Sequence, residues 1–501
     1  MLTFTSTFAQ VAVTGVVKDK SGMGIPGVTV IEKGTTNGTI TDFEGNFKFT
    51  TNNSQGVLIL SAVGFVSKRL TLGEKTNFTV TLKEDVTKLT EVVVTALGVE
   101  RDEKALGYSV QKVDAKAIST VKATNPVNAL AGKVSGVYIT GSGNGPTASA
   151  NINIRGAASL LGNNQPLFVV NGMPITNDLY SLDDGLNGST TIDFGNASQI
   201  VNSDDIASIS ILKGPAASAL YGSRAADGVI LIQTKTGKDV DKGISVELNS
   251  STTFESILML PDYQNEYGFG GGGKYSYVDG SNYIGANESY EAYGENWGPR
   301  MNGQLIKQFN SNGQPAPYTP AENNIRNFFE TGVTSINNIA INNATEDGDT
   351  RFSYTNLSNS GIVPNTNLNR NTVQMSIGRK FFDDKLRVRA NSMFVVSGSD
   401  NIPNAGYDES SSVMYGWLWY PRQVEIDDLR NYWEPGQEGV QQRYVENLWV
   451  NNPWLIANEN TNSFQSRRYI GNVKVDYEIN KNFDLRFRYG ADLLDEERAF
   501  R

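Results

Sequence analysis

The segment GFGGGGKY, Gly268 to Tyr275, comes close to the glycine-rich loop that cradles a nucleotide phosphate. That chemistry needs Ser or Thr directly after the lysine to hold magnesium, an apolar strand before the loop and a helix after it. Here Tyr275 follows Lys274, PDYQNEY precedes and SYVDGSNY follows, so no phosphate site is expected. GSGNGP, Gly141 to Pro146, hints at a dinucleotide loop but leads through Pro146 into a strand rather than a helix. The turn Asp42-Phe43-Glu44-Gly45 has carboxylates for a cation, although its spacing is first of all that of a hairpin turn. Five of the six tryptophans, Trp417, Trp419, Trp433, Trp449 and Trp454, crowd one late segment. Trp417 and Trp419 are candidate ligand contacts, because planar rings stack on sugars; the plainer alternative is that they pack their own loop or sit in an interfacial girdle.

What is missing narrows the chemistry further. The 501 residues contain no cysteine and no histidine, which removes thiolate nucleophiles, Ser-His-Asp triads, disulfides and nearly all zinc or copper sites. Few enzyme classes survive that, and no cofactor is expected. Lys plus Arg total 43 against 53 Asp plus Glu, a net charge of −10, and no basic tract occurs, so nucleic acid is not an expected partner. Fifty glycines, 21 Tyr and 22 Phe suit a mainly β chain rich in turns, and the length suits several domains. No run of 18 apolar residues offers a transmembrane helix, which leaves a β-barrel open. The opening MLTFTSTFAQ reads as the tail of an export signal over residues 1–9, with the mature protein beginning near Gln10, the alternative being a short disordered N-terminus.

The elements that must position anything else fall into blocks. Residues 10–84 hold short alternating strands with turn signals about every ten residues, the pattern of a small β-sandwich. The stretch GVVKDKSGMGIPGVTVIEKGTTNGTITDFEGNFKF resembles the carboxypeptidase-regulatory-like domain, an accessory module. Residues 105–238 form a mixed α+β unit, with a short helix predicted in NPVNALAGKV from the spacing of Val127, Leu130 and Val134. NALAGKVSGV, INIRGAASLLGNNQPLFVVNGMPI and ASISILKGPAASALYGSRAADGVILIQTKTGK look very like the plug domain of SusC/RagA-type TonB-linked outer-membrane proteins. That resemblance marks Arg155, Gly156, Asn171, Gly172 and Arg224 as patterned plug positions. Holding the plug together is the favoured role over ligand contact, with an ion pair to the barrel wall expected for Arg224.

A plug requires a barrel, and residues 239–501 test this independently. Val246, Leu248, Thr252 and Phe254 share one strand face opposite Glu247, Asn249, Ser251 and Glu255. Tyr469, Val473, Val475, Tyr477 and Ile479 oppose Asn472, Lys474, Asp476 and Glu478; Phe483, Leu485, Phe487 and Tyr489 oppose Asp484, Arg486 and Arg488. About seven strands are predicted. Their connections alternate between long or medium ones (259–332, around Pro364, 400–464) and tight turns (346–348, 382–384, 480–482). If the plug is periplasmic, every longer connection falls outside and every tight turn inside, as outer-membrane barrels require. The predicted fold is therefore a β-sandwich, an α+β plug and part of a transmembrane antiparallel β-barrel. Because seven strands would leave open edges in lipid, the chain is expected to be the N-terminal part of a longer protein.

Between sandwich and plug, residues 85–104 carry a short apolar strand, EVVVT, flanked by charge. In the resembled family this is where the TonB box lies, so Glu91, Val92, Val93, Val94 and Thr95 are the candidate contacts for TonB, the inner-membrane-anchored protein that energises such transporters. The plainer alternative is that EVVVT is the last strand of the sandwich or the first of the plug; a detachable strand instead suits capture by a partner's sheet edge, and at about 3.3 Å per residue the stretch from Lys83 to Lys104 extends roughly 70 Å. The resemblance implies TonB-dependent import of an oligosaccharide or peptide, a SusD-like surface lipoprotein as lid, and residence in the outer-membrane lipid of a Gram-negative, Bacteroidetes-like cell. A surface attachment receptor without transport is the alternative, and a transporter that also signals is a third.

Overall fold

The computed structural model describes residues 11–501 except 34, 36, 52, 54–55, 63, 74, 84–91, 95–99, 103–109, 120–121, 123, 142–144, 158–163, 178–191, 241, 280–281, 286–295, 312–313, 405, 407–411, 444 and 446–450. The proposed export-signal remnant, residues 1–9, lies outside them, as do Glu91 and Thr95. The chain divides into two compact units, residues 1–93 with 100–107, and residues 94–99 with 108–501.

The first unit is a sandwich of seven strands: β1 (Val11–Lys18), β2 (Thr29–Glu32), β3 (Gly38–Ile40), β4 (Asn46–Thr51), β5 (Val57–Ser61), β6 (Lys68–Thr71) and β7 (Asn77–Thr81). They form sheets ordered β4-β1-β7 and β3-β2-β5-β6. Strict alternation, as in NFKFTT where Phe47 and Phe49 point inward, fills one core with Val13, Val17, Val30, Leu58, Leu60 and Val80. The Asp42 turn is a hairpin turn: Asp42 Oδ1 accepts from the N–H of Glu44 at 3.0 Å and of Asn46 at 2.8 Å.

After the sandwich, β8 (Val92–Val94) and β9 (Glu100–Asp102) pair as a two-stranded ribbon. The charged stretch that the sequence presents as a solvated spacer thus supplies a backbone partner to the valines. Backbone groups pair whatever the side chains, so charge alone did not keep this segment out of a ladder.

The second unit begins with β10 (Val110–Asp114), α1 (Ala115–Ser119), β11 (Val137–Gly141), β12 (Ala150–Ile154), β13 (Leu167–Val170), β14 (Met173–Ile175), β15 (Ile206–Leu212), α2 (Pro215–Tyr221) and β16 (Val229–Thr234). Five of these make a sheet ordered β10-β15-β16-β13-β14, in which β13 and β16 run parallel. LFVV and VILI are buried throughout, as strands covered on both faces must be. The helix predicted around Val127 is shorter than its spacing suggested: a single 3-10 turn, Pro126–Leu130, capped by Asn125, with Val127, Leu130 and Val134 all buried.

The rest is one seven-stranded antiparallel wall, ordered β17-β23-β24-β25-β26-β27-β28. Its strands are β17 (Gly243–Glu255), β23 (Gly332–Ala344), β24 (Gly348–Ser360), β25 (Asn367–Phe381), β26 (Leu386–Ser399), β27 (Asn462–Asn480) and β28 (Phe483–Phe500). The first long connection carries five short strands, β18 (Gly270–Gly271), β19 (Lys274–Asp279), β20 (Asn282–Gly285), β21 (Leu305–Lys307) and β22 (Pro315–Pro317). The second carries α3 (Val413–Trp419) and α4 (Pro453–Glu459). The phosphate-loop lookalike is the β18–β19 hairpin, turned by Gly272 (φ 60°) and Gly273 (φ 76°), and a strand follows its lysine.

The wall's polarity is inverted relative to a soluble sheet. Ile244 is 78% and Leu248 75% exposed, and Ile341, Phe352, Val373, Met375, Phe394, Val473, Leu485, Phe487 and Tyr489 share that outward side. The opposite face buries Asn338, Asn342, Arg351, Ser353, Thr355, Gln374 and Ser376. A sheet in water hides its apolar face, whereas apolar outside with polar inside is the arrangement that lipid selects. Met393, Val395 and Ile470 are inward exceptions and belong to the same core as Ile152, Phe168 and Ile211 of the plug unit. The expected alternation of long and tight connections is also present strand for strand.

Candidate functional site

The wall's inward face is polar where it meets the plug, and four of its arginines reach plug atoms. Alternation places Arg351 of β24 inward, where its Nη2 lies 3.0 Å from Asp205 Oδ1, both side chains 1% exposed. Thr355 Oγ1 donates to Asp205 Oδ2 at 3.2 Å, and Arg351 Nη1 donates to Asn342 Oδ1 at 2.7 Å. Glu247 of β17 stands 3.6 Å from the same guanidinium. Asp205 ends the 3-10 turn Ser203–Asp205 at the start of β15, so the pair fastens the central plug sheet to the wall. A second plug–wall point is Arg370 of β25, which donates to the backbone oxygen of Gln199 at 2.7 Å and its side-chain oxygen at 2.8 Å. Gln199 Nε2 in turn donates to the oxygens of Thr147 and Ala148. Arg468 of β27 donates to Thr176 O at 3.0 Å and pairs with Asp492, and Arg488 of β28 donates to Gly172 O at 2.9 Å.

Buried charge next to its counter-charge is costly to separate, because removing one partner strands the other in low dielectric. Hydrogen bonds to Gln199, Thr176 and Gly172 lack a counter-charge and break more readily. The plug is thus tied to the wall by one fully buried ion pair, a half-buried one between Lys235 and Glu247 at 3.6 Å, and several uncharged-acceptor hydrogen bonds, with the Met393, Val395 and Ile470 contact beside them.

The residues marked in the sequence are distributed as follows. Asn171 (φ 50°) and Gly172 (φ 80°) form the two-residue turn between β13 and β14, as predicted. Asn171 Nδ2 donates to Thr234 Oγ1 at 2.9 Å and its Oδ1 accepts from Thr234 N–H at 3.0 Å, locking the hairpin to β16. A Cβ on Gly172 would sit 1.9 Å from Arg488 Nη1, so a side chain here requires the Arg488 guanidinium to move away. Arg155 (φ 64°) and Gly156 (φ 99°) turn the chain after β12, with Arg155 N–H donating to Gly136 O at 2.9 Å. The Arg155 side chain is exposed beside Gly214. Burial, and secondarily the charge of Arg155, lowers the pKa of Lys213, whose ammonium donates to Ser135 O and Gln111 Oε1. Arg224 sits exposed in the turn Ser223–Ala225 and makes no ion pair among the described residues. The ionic fastening expected of it is made with the signs reversed, by wall arginine and plug aspartate.

Trp417 is 5% exposed, stacked on Phe329 at 4.9 Å and edge-on to Phe328. It therefore packs the two long connections together, in a cluster shared with Ile325, Val413, Tyr420 and Trp454. Trp419 is 39% exposed at the lip of a cleft beside Tyr420. The backbone of Val92–Val94 is held in the β8–β9 ribbon described above.

Residues 102–229 match the family described as TonB-dependent Receptor Plug Domain, and residues 13–94 match the CarboxypepD_reg-like domain. The chain is 29% identical to the TonB-dependent receptor SusC of Bacteroides thetaiotaomicron, covering 95% of this chain and 44% of that protein. It is 36% identical over 262 residues to the TonB-dependent receptor P26 of Formosa agariphila, 52% of this chain and 24% of the relative. Among solved structures, the RagAB peptide importer in its open-open state superposes with a TM-score of 0.59 at 22% identity, over 81% of this chain and 43% of that one, a likeness of fold. The chain spans less than half the length of these relatives.

Proposed function

We propose that this chain, a SusC/RagA-type TonB-dependent receptor with a carboxypeptidase-regulatory-like domain and a plug, serves active nutrient import across the Gram-negative outer membrane. Its family transports rather than catalyses. The observation that carries the reading is a plug fastened by Arg351–Asp205 to the polar face of a wall whose other face is apolar. A plug that never moved could be joined to such a wall by an apolar core alone. The polar fastenings at Gln199, Thr176 and Gly172 are the kind that a modest pull releases, while the ionic point resists until force is applied.

In this mechanism the long outer connections capture the ligand, TonB takes up Glu91 to Thr95 by strand addition, and tension on the plug opens a route beside the wall. In the ribbon β9 takes one edge of Val92–Val94, and among the described residues the other edge is left for strand addition by TonB. The ligand is of the oligosaccharide or peptide class, and a SusD-like surface lipoprotein covers the outer face; the peptide importer of similar fold carries two components in its name, RagAB.

These 501 residues hold no cysteine, so none of them competes with an introduced pair. The paired substitutions Met173→Cys in the plug and Gly490→Cys in the wall, where a Cβ on Gly490 lies 2.7 Å from Met173 Sδ, tie plug to wall and leave Arg351–Asp205 intact. Oxidised cells are expected to bind ligand and take none up, with uptake restored by reductant. Full uptake in the verified oxidised form would overturn the gating role of the plug.

A further inference from the structure

We propose that Lys122, through its buried ion pair with Asp204, is the positioning residue that passes tension from the first segment of the plug to the Arg351–Asp205 fastening. The inference rests on the import reading for its premise that a pull arrives through the strand before the plug. The plug sheet begins with β10, which is its edge strand. A pull from the preceding segment therefore loads β10 first, then α1, then Lys122.

The register decides where that load goes. β10 pairs antiparallel with β15, so Val110 lies opposite Leu212 and Asp114 opposite Ser208. The C-terminal end of β10 is thus brought to the start of β15, and α1, which continues it, touches both β15 and the turn Ser203–Asp205. Lys122 follows α1, and its Nζ lies 2.9 Å from Asp204 Oδ2, with the two side chains only 14% and 4% exposed. Asp204 directly precedes the aspartate held by Arg351. Both aspartates sit in one 3-10 turn, capped by Asn202 Oδ1, which accepts from Asp204 N–H at 2.8 Å, and tied to the sheet through Asp205 O, which accepts from Lys235 N–H at 2.8 Å. A short hydrogen-bonded turn moves as one body, so a displacement of Asp204 is passed to Asp205.

The other ties of this segment lead elsewhere. Gln111 accepts from Lys213 Nζ at 3.0 Å and from Ser135 N–H at 3.1 Å and donates to Lys133 O at 3.1 Å, all beside Lys213, which follows the far end of β15. Lys112 pairs with Asp114 inside β10 itself. Among the described residues, Lys122–Asp204 is the one ion pair joining residues 110–125 to the rest of the plug. Hydrogen bonds to uncharged partners give way before a buried ion pair does, because separating buried charges strands each in low dielectric. The pull therefore frees β10 at Gln111 and is then held at Lys122. Within one turn, one aspartate takes the load and its neighbour holds the wall.

The test is constant-force stretching of the purified full-length receptor in lipid nanodiscs by optical tweezers, with Thr95→Cys supplying the handle. The wild-type receptor is expected to pause with the chain paid out to Lys122, roughly 90 Å beyond the handle at about 3.4 Å per residue. In Lys122→Met with Asp204→Leu, which removes both charges so that neither is stranded, the pause should vanish while the melting temperature holds. Lys122→Arg should keep the pause. Arg351→Met with Asp205→Leu should shorten it about tenfold, since the load then meets no ionic fastening. A wild-type pause at another length, a pause that persists in the Lys122–Asp204 double variant, or one unaffected by removing Arg351–Asp205 would each overturn the proposal. So would a fall in the double variant's melting temperature alongside the lost pause, which would mark the pair as structural only. The trace needs neither TonB nor ligand, so failure here is distinct from failure of the import reading, which shows in uptake by cells whose receptor lacks Glu91 to Thr95.

Discussion

Substituting Asp205 by alanine is the perturbation most directly tied to the plug's fastening. In the native protein the Arg351 guanidinium is 1% exposed and its one fully buried counter-charge is Asp205, with Glu247 farther off at 3.6 Å and itself 31% exposed. Removing Asp205 leaves the guanidinium with Asn342 and a half-screened carboxylate, and its Nε has no partner among the described residues. Breaking a buried pair by deleting one member costs about 3–5 kcal/mol. At about 1.4 kcal/mol per tenfold, the opening equilibrium of the adjoining sheet should shift roughly 100- to 4,000-fold. The assay is amide hydrogen exchange of β15 and β16 in the full-length receptor in lipid nanodiscs, where protection reports local opening. A loss of protection in β15 is expected, while β4 in the sandwich stays unchanged. The double variant Asp205→Leu with Arg351→Met, which removes both charges, should recover most of the loss. Protection of β15 within about 1 kcal/mol of wild type in Asp205→Ala would refute the argument that this pair fastens the plug.

Other consequences are accessible to simpler measurements. Gly172→Ala places a Cβ on Arg488 and demands φ 80° of a residue with a side chain, so a loss of about 1–3 kcal/mol is expected in denaturant titration; an unchanged midpoint would mean Arg488 swings aside freely. In the sandwich, backbone hydrogen bonds from Asn46, Glu44 and Gly45 and the Asn46 side chain hold the Asp42 carboxyl below its ordinary pKa. A depressed folded pKa stabilises the fold above the unfolded value, near 3.9, and that contribution is lost as pH falls through the folded value. Acid titration of the sandwich signal should therefore show a component that Asp42→Asn flattens, and identical acid profiles would remove Asp42 from the account.

Much of the architecture was legible because each environment writes its own period. The wall strands alternate apolar and polar, and the parity of their connections separates barrel from sandwich, which alternation alone does not do. The plug's buried strands and the hairpin turn at Asn171-Gly172 were equally plain. The fastening was not. Arg351 stands in an ordinary polar row, RFSYTNLSNS, and its partner is 146 residues away. No local pattern joins the two, although a lone arginine at an inward-facing position is a signal that could have been followed. The ribbon of Val92–Val94 with Glu100–Asp102 was missed for another reason. Charged side chains suggested solvation, but main-chain groups closed the ladder regardless. Of the two tryptophans weighed between packing and ligand contact, Trp417 is buried in the loop core and Trp419 is half-exposed.

The central claim is that import is driven by TonB acting through the strand before the plug. Its most direct test is deletion of Glu91 to Thr95 from the full-length receptor, with ligand uptake and surface binding measured on the same cells. Loss of uptake with surface binding retained is the predicted result; uptake at the wild-type rate would contradict it.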